Sequence, residues 1–360
     1  MESLPVVLGL MSGSSRDGLD MALVRFSRDE GRWHYQFLAS ETIAYPVSLR
    51  DELLAAYTFR ADQLAALDAR LGRYFGEKCR EFIDGQSSKP QLIASHGHTL
   101  YHQPALGFSQ QIGHPAHIAA QTGINVAADF RSMDIALGGQ GAPLVPLGDA
   151  LLFPDYELCI NLGGIANISF AQAGKRLAWD LACCNMVFDY LSEKNGQAYD
   201  AGGALAASGH CDAALLATLN ALPYYQQKPP KSLGREFFEE QLQPIFDNCS
   251  ASLADQMATY AEHLASLFAQ LAKQYRWQGP WLVTGGGAYN SHLIKCIEKR
   301  CGISIQLPEK QLIDQKEALI FAFLGLLRWL GETNVYQDVT GSRSNHCGGN
   351  LYLAPTCVYS

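Results

Sequence analysis

Apolar residues in this chain fall into short runs that alternate with longer stretches of helical spacing. Leu4–Leu10, Met21–Phe26, Leu92–Ala94 and Ile124–Ala127 have the length and composition of strands. The second half repeats the style with Leu158–Leu162, Ala166–Phe170 and Trp281–Thr284. Between the runs, apolar positions recur at helical spacing over Arg50–Tyr57, Ala61–Phe82, Asn185–Glu193, Gly202–Gly209, Cys211–Ala221 and Asp255–Tyr275. Glu317–Leu330 is apolar almost all round, which predicts a buried helix. Each half opens with a strand, a glycine turn and a second strand, then continues into mixed helices and strands. The expectation is an α/β protein of two similar domains with a cleft. The expected division falls near Ser132–Gly141, where Gly138-Gly139-Gln140-Gly141 interrupts the pattern. Residues 1–135, completed by 335–360, would form one domain, and 136–334 the other.

Composition narrows the function classes. At 360 residues, 48% hydrophobic and 17% charged, the chain can bury a large core. A net charge of -8 argues against nucleic acid and anionic membranes as partners. The longest apolar run, Ala318–Leu327, is too short to span a bilayer, and Arg328 follows it. No basic segment precedes the first apolar run, so a cytoplasmic protein is expected. The ten cysteines include no Cys-x-x-Cys pair, which speaks for reduced thiols and against a zinc site. Cys183-Cys184 reads as two small packing residues.

Three glycine clusters carry the candidate chemistry: Gly13-Ser14-Ser15, Gly163-Gly164 and Gly285-Gly286-Gly287. The first two sit in strand–turn–strand settings and the third precedes a helix. Backbone N–H groups in such turns can approach a phosphate, because no Cβ stands in the way. Each alone could be a bulge or tight corner, but three together at strand ends make that reading less attractive. Asp180, after Arg176–Trp179, is a candidate general base or an N-cap for the helix near Asn185. Asp129-Phe130-Arg131 could grip a polar ligand or form a surface ion pair. Ser95-His96-Gly97-His98-Thr99, His102 and His114 lack metal-ligand spacing and read as hydrogen-bonding loop histidines. Lys231-Ser232-Leu233-Gly234-Arg235 is a basic loop that could meet a substrate carboxylate or cap a helix.

Taken together, the chain resembles the anhydro-N-acetylmuramic acid kinases of the actin-like, sugar-kinase superfamily. The resemblance runs nearly its whole length. It is carried by Gly13 to Asp20, Ser95–Thr99, Gln111-Ile112-Gly113, Ala128–Arg131, Gly138–Pro146, Asn161–Ser169, Tyr199–Gly203, Pro230–Glu236, Gly285–Ala288, Glu317-Ala318 and Val339-Thr340-Gly341. It implies a two-domain actin-like ATPase (ribonuclease H-like) fold with an interdomain cleft, and it suggests a homodimer. It implies that water opens 1,6-anhydro-N-acetylmuramic acid and ATP with Mg²⁺ phosphorylates the freed 6-oxygen. The resemblance assigns Asp180 as base, with Glu317 as a second carboxylate. It assigns the sugar to Thr99, Asp129 and Arg131. ATP falls to Gly13, Ser14, Ser15, Arg16, Asp17, Gly18, Leu19, Asp20, Gly163, Gly164, Gly285, Gly286 and Gly287. Kinases of another anhydro-sugar, or a binding-only relative, are the alternatives. After the base, the family usually carries Thr-Gly-Pro-Gly-Asn, whereas this chain has Leu181-Ala182-Cys183-Cys184-Asn185. That change predicts a bulkier loop in place of a flexible one. Ser14, Arg16 and His114 are further departures.

Overall fold

The computed structural model describes residues 4–13 and 18–355. The expected phosphate contacts Ser14, Ser15, Arg16 and Asp17 lie outside the described residues. In chain order the strands are β1 (Val6–Ser12), β2 (Gly18–Asp29), β3 (Arg32–Ala44), β4 (Leu92–Gln103), β5 (Phe108–Ile112) and β6 (Asn125–Ala128). They continue with β7 (Leu158–Leu162), β8 (Ile165–Gln172), β9 (Lys175–Cys183), β10 (Trp281–Thr284) and β11 (Asn350–Tyr352). Two compact units result: one runs to Phe153 and resumes at Gln315, and the other is Pro154–Asp314. The divisions expected from sequence, 135/136 and 334/335, stand elsewhere along the chain. The first unit keeps residues 136–153 because Gly148 lies against Ile320. A Cβ at Gly148 would come within 2.7 Å of that side chain.

In the first unit the sheet order is β11-β6-β4-β1-β2-β3, with β5 hydrogen-bonded to β4. β1, β4 and β6 run parallel, and β1–β2–β3 form an antiparallel meander. Every residue of β1 is buried, as a strand covered on both faces must be. On one face the helix Ala61–Asp84 presents Leu67, Leu71, Phe75, Cys79 and Phe82 at helical spacing to Leu8, Leu10, Ile93 and Val126. On the other lies the helix Lys310–Leu330. Gly9 admits it: a Cβ there would sit 2.0 Å from the Ala318 carbonyl oxygen.

The second unit repeats the plan. Its order is β10-β7-β8-β9, with β7–β8–β9 antiparallel and β10 parallel to β7. Its core joins Leu158, Ile160 and Val283 of the sheet to Met257, Tyr260, Leu264 and Phe268 of the helix Leu253–Tyr275. An antiparallel meander whose first strand pairs in parallel with the fourth is the ribonuclease H-like order. It occurs in both units, as the actin-like expectation requires.

Several elements differ from the sequence reading. β5 is too short to announce itself, and β3 has no continuous apolar run, only the alternation of Trp33, Tyr35 and Phe37 with polar residues. Ser95–Thr99 lies within β4 and not in a loop, and His96 and His98 are buried. Leu181–Cys184 is no loop either. β9 runs through Cys183, and all four residues are at most 3% exposed. The bulkier side chains are there because they fill the core of the second unit.

Candidate functional site

Within the second unit, two of the glycine clusters come together at the carboxyl ends of the parallel strands β7 and β10, where open α/β sheets take their ligands. Gly163-Gly164 turns β7 into β8. The carbonyl oxygen of Gly164 accepts from Cys184 N–H (2.8 Å) and Met186 N–H (3.2 Å), and that of Gly163 from Asn185 N–H (3.0 Å). The helix Asn185–Lys194 therefore starts against this turn. Gly285, at the end of β10, has φ +82°, and a Cβ on it would lie 2.5 Å from Asn161 Oδ1. A Cβ on Gly287 would meet Leu162 at 2.7 Å, and one on Gly286 would approach Asn185 Nδ2 at 3.4 Å. Five glycines thus surround Asn161, Leu162 and Asn185 with bare backbone. Gly164 faces open space, with nothing within 4 Å of an added Cβ. Sequence reasoning did not assign Gly203 to this region. A Cβ there would strike Asn290 Oδ1 at 2.1 Å, and Asn290 caps the helix Ser291–Cys301 directly after the third glycine cluster. The signal was available in Gly202-Gly203, next to Tyr199-Asp200.

Asp180 lies in β9, and the N-cap reading falls, because Cys184 is the N-cap of the following helix. Ala166 pairs with Ala182 and Asn167 with Asp180, so Leu181 is the extra residue of a β-bulge. Asp180 is gripped by the segment that sequence analysis read as a basic loop. Its N–H donates to the Lys231 carbonyl (3.3 Å), and its own carbonyl accepts from Tyr224 O–H (2.5 Å). Its carboxylate Oδ2 accepts from Leu233 N–H (2.9 Å). Lys231 Nζ in turn donates to the Tyr224 carbonyl (3.0 Å) and lies 4.4 Å above the Tyr224 ring. Lys231 caps no helix, and it ties down the residue that holds Asp180. Burial raises the Asp180 carboxyl above the usual carboxylate range, against the opposing Leu233 N–H.

The first unit gathers a second set of polar groups. Arg131 donates from Nη1 to the Gly141 carbonyl (2.6 Å) and from Nη2 to His96 Nε2 (2.7 Å). Arginine can only donate, so His96 Nε2 is the acceptor, and Nδ1–H points at the Gly97 carbonyl 2.9 Å away. Burial, then Arg131, keeps His96 neutral. Burial brings the Arg131 guanidinium down to about 10. The surface-pair reading of Asp129 and Arg131 fails, since Asp129 turns to other partners. It accepts from Ser132 Oγ (2.5 Å) and Asn350 Nδ2 (3.0 Å). Its backbone holds φ +56°, a strained setting for a non-glycine residue. Asp129, His96, Ser95, Gln111 and His114 line a cavity of about 220 Å³. Thr99 stands beside it in β4, accepting from Gln111 Nε2 at 3.2 Å. A larger, open hollow of about 580 Å³ beside the β4–β5 hairpin is lined by none of the expected site residues.

Among the other expected contacts, Gly13 is half-buried at the end of β1, and Gly18 packs against the Ile43 carbonyl. Leu19 is fully buried, so its side chain serves the core. Asp20 Oδ1 accepts from Thr42 Oγ1 (2.6 Å), which accepts from Gln315 Nε2 (2.8 Å). Glu317, half-buried, faces the same place. Its carboxyl is raised by burial and by Asp20, and Lys316 and Arg131 pull it back.

A family model described as Anhydro-N-acetylmuramic acid kinase matches residues 5–354. This chain belongs to the anhydro-N-acetylmuramic acid kinase family. An anhydro-N-acetylmuramic acid kinase of Acaryochloris marina is 35% identical, over 96% of this chain and 99% of that one. One of Xanthomonas axonopodis pv. citri is 36% identical, over 97% and 98%. A solved ROK family glucokinase from Streptomyces griseus, in complex with glucose and AMPPNP, resembles the chain remotely. Its identity is 13% and its TM-score 0.40, over 89% of this chain and 99% of that one.

In this member of the anhydro-N-acetylmuramic acid kinase family, no three His, Cys, Asp or Glu side chains among the described residues gather in a metal-holding group. Mg²⁺ is held in kinases largely by substrate phosphates and water. No described helix is long and apolar enough to cross a membrane.

Proposed function

We propose that this chain is a cytoplasmic, ATP-dependent kinase of cell-wall recycling. It would hydrolytically open 1,6-anhydro-N-acetylmuramic acid and phosphorylate it to N-acetylmuramic acid 6-phosphate. The observation that carries the reading is Asp180, a desolvated carboxylate fixed on a bulge by contacts from the Tyr224–Leu233 segment. Only one of its oxygens is engaged: Oδ1 makes no hydrogen bond to the described residues, which leaves it for a substrate water.

In this reading Asp180 takes a proton from water as the water oxygen bonds to the anomeric carbon. The bond from that carbon to the 6-oxygen breaks. The freed oxygen attacks the γ-phosphate, and ADP leaves with the electrons of the broken P–O bond. A carboxyl raised by burial is a stronger base, which suits a transfer near neutral pH. The bare backbone of Gly163, Gly164 and Gly285–Gly287 supports assigning ATP to the second unit. Gly13–Asp20 would meet its phosphates. Mg²⁺ would arrive with the nucleotide and offset its charge. Thr99, Asp129 and Arg131 are assigned to the sugar and Glu317 to the second carboxylate. Their support is their shared place at the carboxyl ends of β4 and β6 and on the adjoining helix.

The test is sugar-dependent ADP release by the purified protein with Mg-ATP and 1,6-anhydro-N-acetylmuramic acid, run beside Asp180→Asn. Turnover in the parent should fall at least about 100-fold in the variant, with nucleotide binding retained. A parent that binds nucleotide and leaves this sugar untouched would overturn the assignment.

A further inference from the structure

A buried charged pair lies beside Glu317, and no step above uses it. Lys316 and Asp149 are 3% and 2% exposed, and Lys316 Nζ lies 2.9 Å from Asp149 Oδ1. Lys316 precedes Glu317 on the helix Lys310–Leu330. Asp149 comes from the helix Val145–Leu152, which packs against it through Gly148 and Ile320. Stability alone does not explain such a pair, because well-packed apolar residues of similar volume usually serve as well or better. Nor does Lys316 Nζ complete a hydrogen bond of good geometry. A buried cation does, however, act strongly on a neighbouring carboxylate.

The charged groups facing Glu317 are Asp20 from β2, Arg131 after β6, Asp149 from the packed helix and Lys316 itself. Gln315, one residue earlier, reaches Thr42, which holds Asp20. Gln315 thus fixes the anion opposite Glu317, and Lys316 places a cation beside it that Asp149 anchors across to a second helix. We propose that Lys316 and Asp149 form a positioning pair that locks this turn of the helix and holds a cation beside Glu317. Burial and Asp20 push the Glu317 carboxyl up, Lys316 draws it down, and the opposing effect of Asp149 is the smallest of the set. The inference rests on the proposed role of Glu317 as a reacting carboxylate.

The experiment follows the Glu317 carboxyl itself, as the pH-dependent carboxyl infrared band that Glu317→Gln abolishes, in the parent, Asp149→Asn and the double variant Lys316→Met/Asp149→Leu. Folding is followed by circular dichroism, and kcat and KM for ATP are measured beside it. The double variant removes the net downward pull, so the midpoint of that band should move up by at least about 0.5 unit. Asp149→Asn keeps the cation and removes its anion, so the midpoint should move down. KM for ATP should stay constant in both. Midpoints that stay where the parent has them would overturn the pair. A fully active Glu317→Gln would instead overturn the reading of Glu317. Should the double variant not fold, the isosteric Asp149→Asn decides alone, and an unmoved midpoint counts against the pair.

Discussion

A carboxylate that must take a proton near neutral pH needs burial to raise its basicity and a rigid mount to keep it aimed. Asp180 has both, and the mount can be tested without touching the carboxylate. Tyr224→Phe deletes the O–H that holds the Asp180 carbonyl and keeps the ring that Lys231 covers. One such hydrogen bond is worth about 1 kcal/mol, so kcat should fall roughly five- to tenfold. KM for ATP should stay as it is, since no glycine turn is touched. Because Asp180 acts ionised and its carboxyl is raised by burial, activity is lost as pH falls through that raised value. If Tyr224→Phe also loosens the Leu233 N–H bond, the limb moves further up. An unchanged kcat would show that the bulge alone aims Asp180.

At the scale of elements, the glycine turns separate folding from binding. Gly285→Ala meets both a positive φ and Asn161 Oδ1 at 2.5 Å, so it should lower the melting temperature as well as ATP binding. Gly164→Ala meets nothing within 4 Å and carries no positive φ. It should leave the melting temperature within about 1 °C and raise KM for ATP about tenfold if a phosphate approaches that backbone. A KM equal to the parent's would take Gly164 out of the nucleotide contacts. These turns were legible in the sequence because glycine between two apolar runs marks a strand end, and the runs gave both meanders their first two strands. Other features were not legible. β3, an edge strand, has no continuous apolar run, and its alternation of Trp33, Tyr35 and Phe37 with polar residues escapes a reading built on runs. The bulge at Leu181 depends on register with β8, which no local pattern specifies. Tyr224, Lys231 and Leu233 reach Asp180 from some fifty residues away, and Lys316 finds Asp149 from farther still. Long-range polar pairing of this kind leaves no periodicity to read.

Across the whole molecule, the same burial that tunes the site sets the response to acid. Raised carboxyls occur in both units: Asp68 and Glu317 in one, Asp180 and Asp189 in the other, with Asp189 at about 6. A raised folded value means stability that is full below the unfolded value and lost as pH rises through the folded one. These groups therefore favour the folded chain on acidification. Buried histidines oppose them. His263, fully buried and paired through Nδ1 with Asn220 Oδ1 at 2.7 Å, is held neutral and brought down to about 3 by burial. His96 is lowered as well. A depressed folded value means stability that is full above the unfolded value and lost as pH falls toward the folded one. The two sets compete between the ordinary carboxylate and imidazole ranges, and above the imidazole range neither varies. The melting temperature should therefore be flat just above neutrality and fall on acidification to the extent that the histidines prevail. His263, brought from the imidazole range down to about 3, should contribute a large part of that fall. His263→Gln, which cannot titrate, should lose at least about 2 °C less than the parent between about pH 7 and pH 4.5. Equal losses in the two proteins would shift the cause to carboxylates whose folded values are depressed, Asp247 beside Lys194 and Asp255 beneath the His210 N–H.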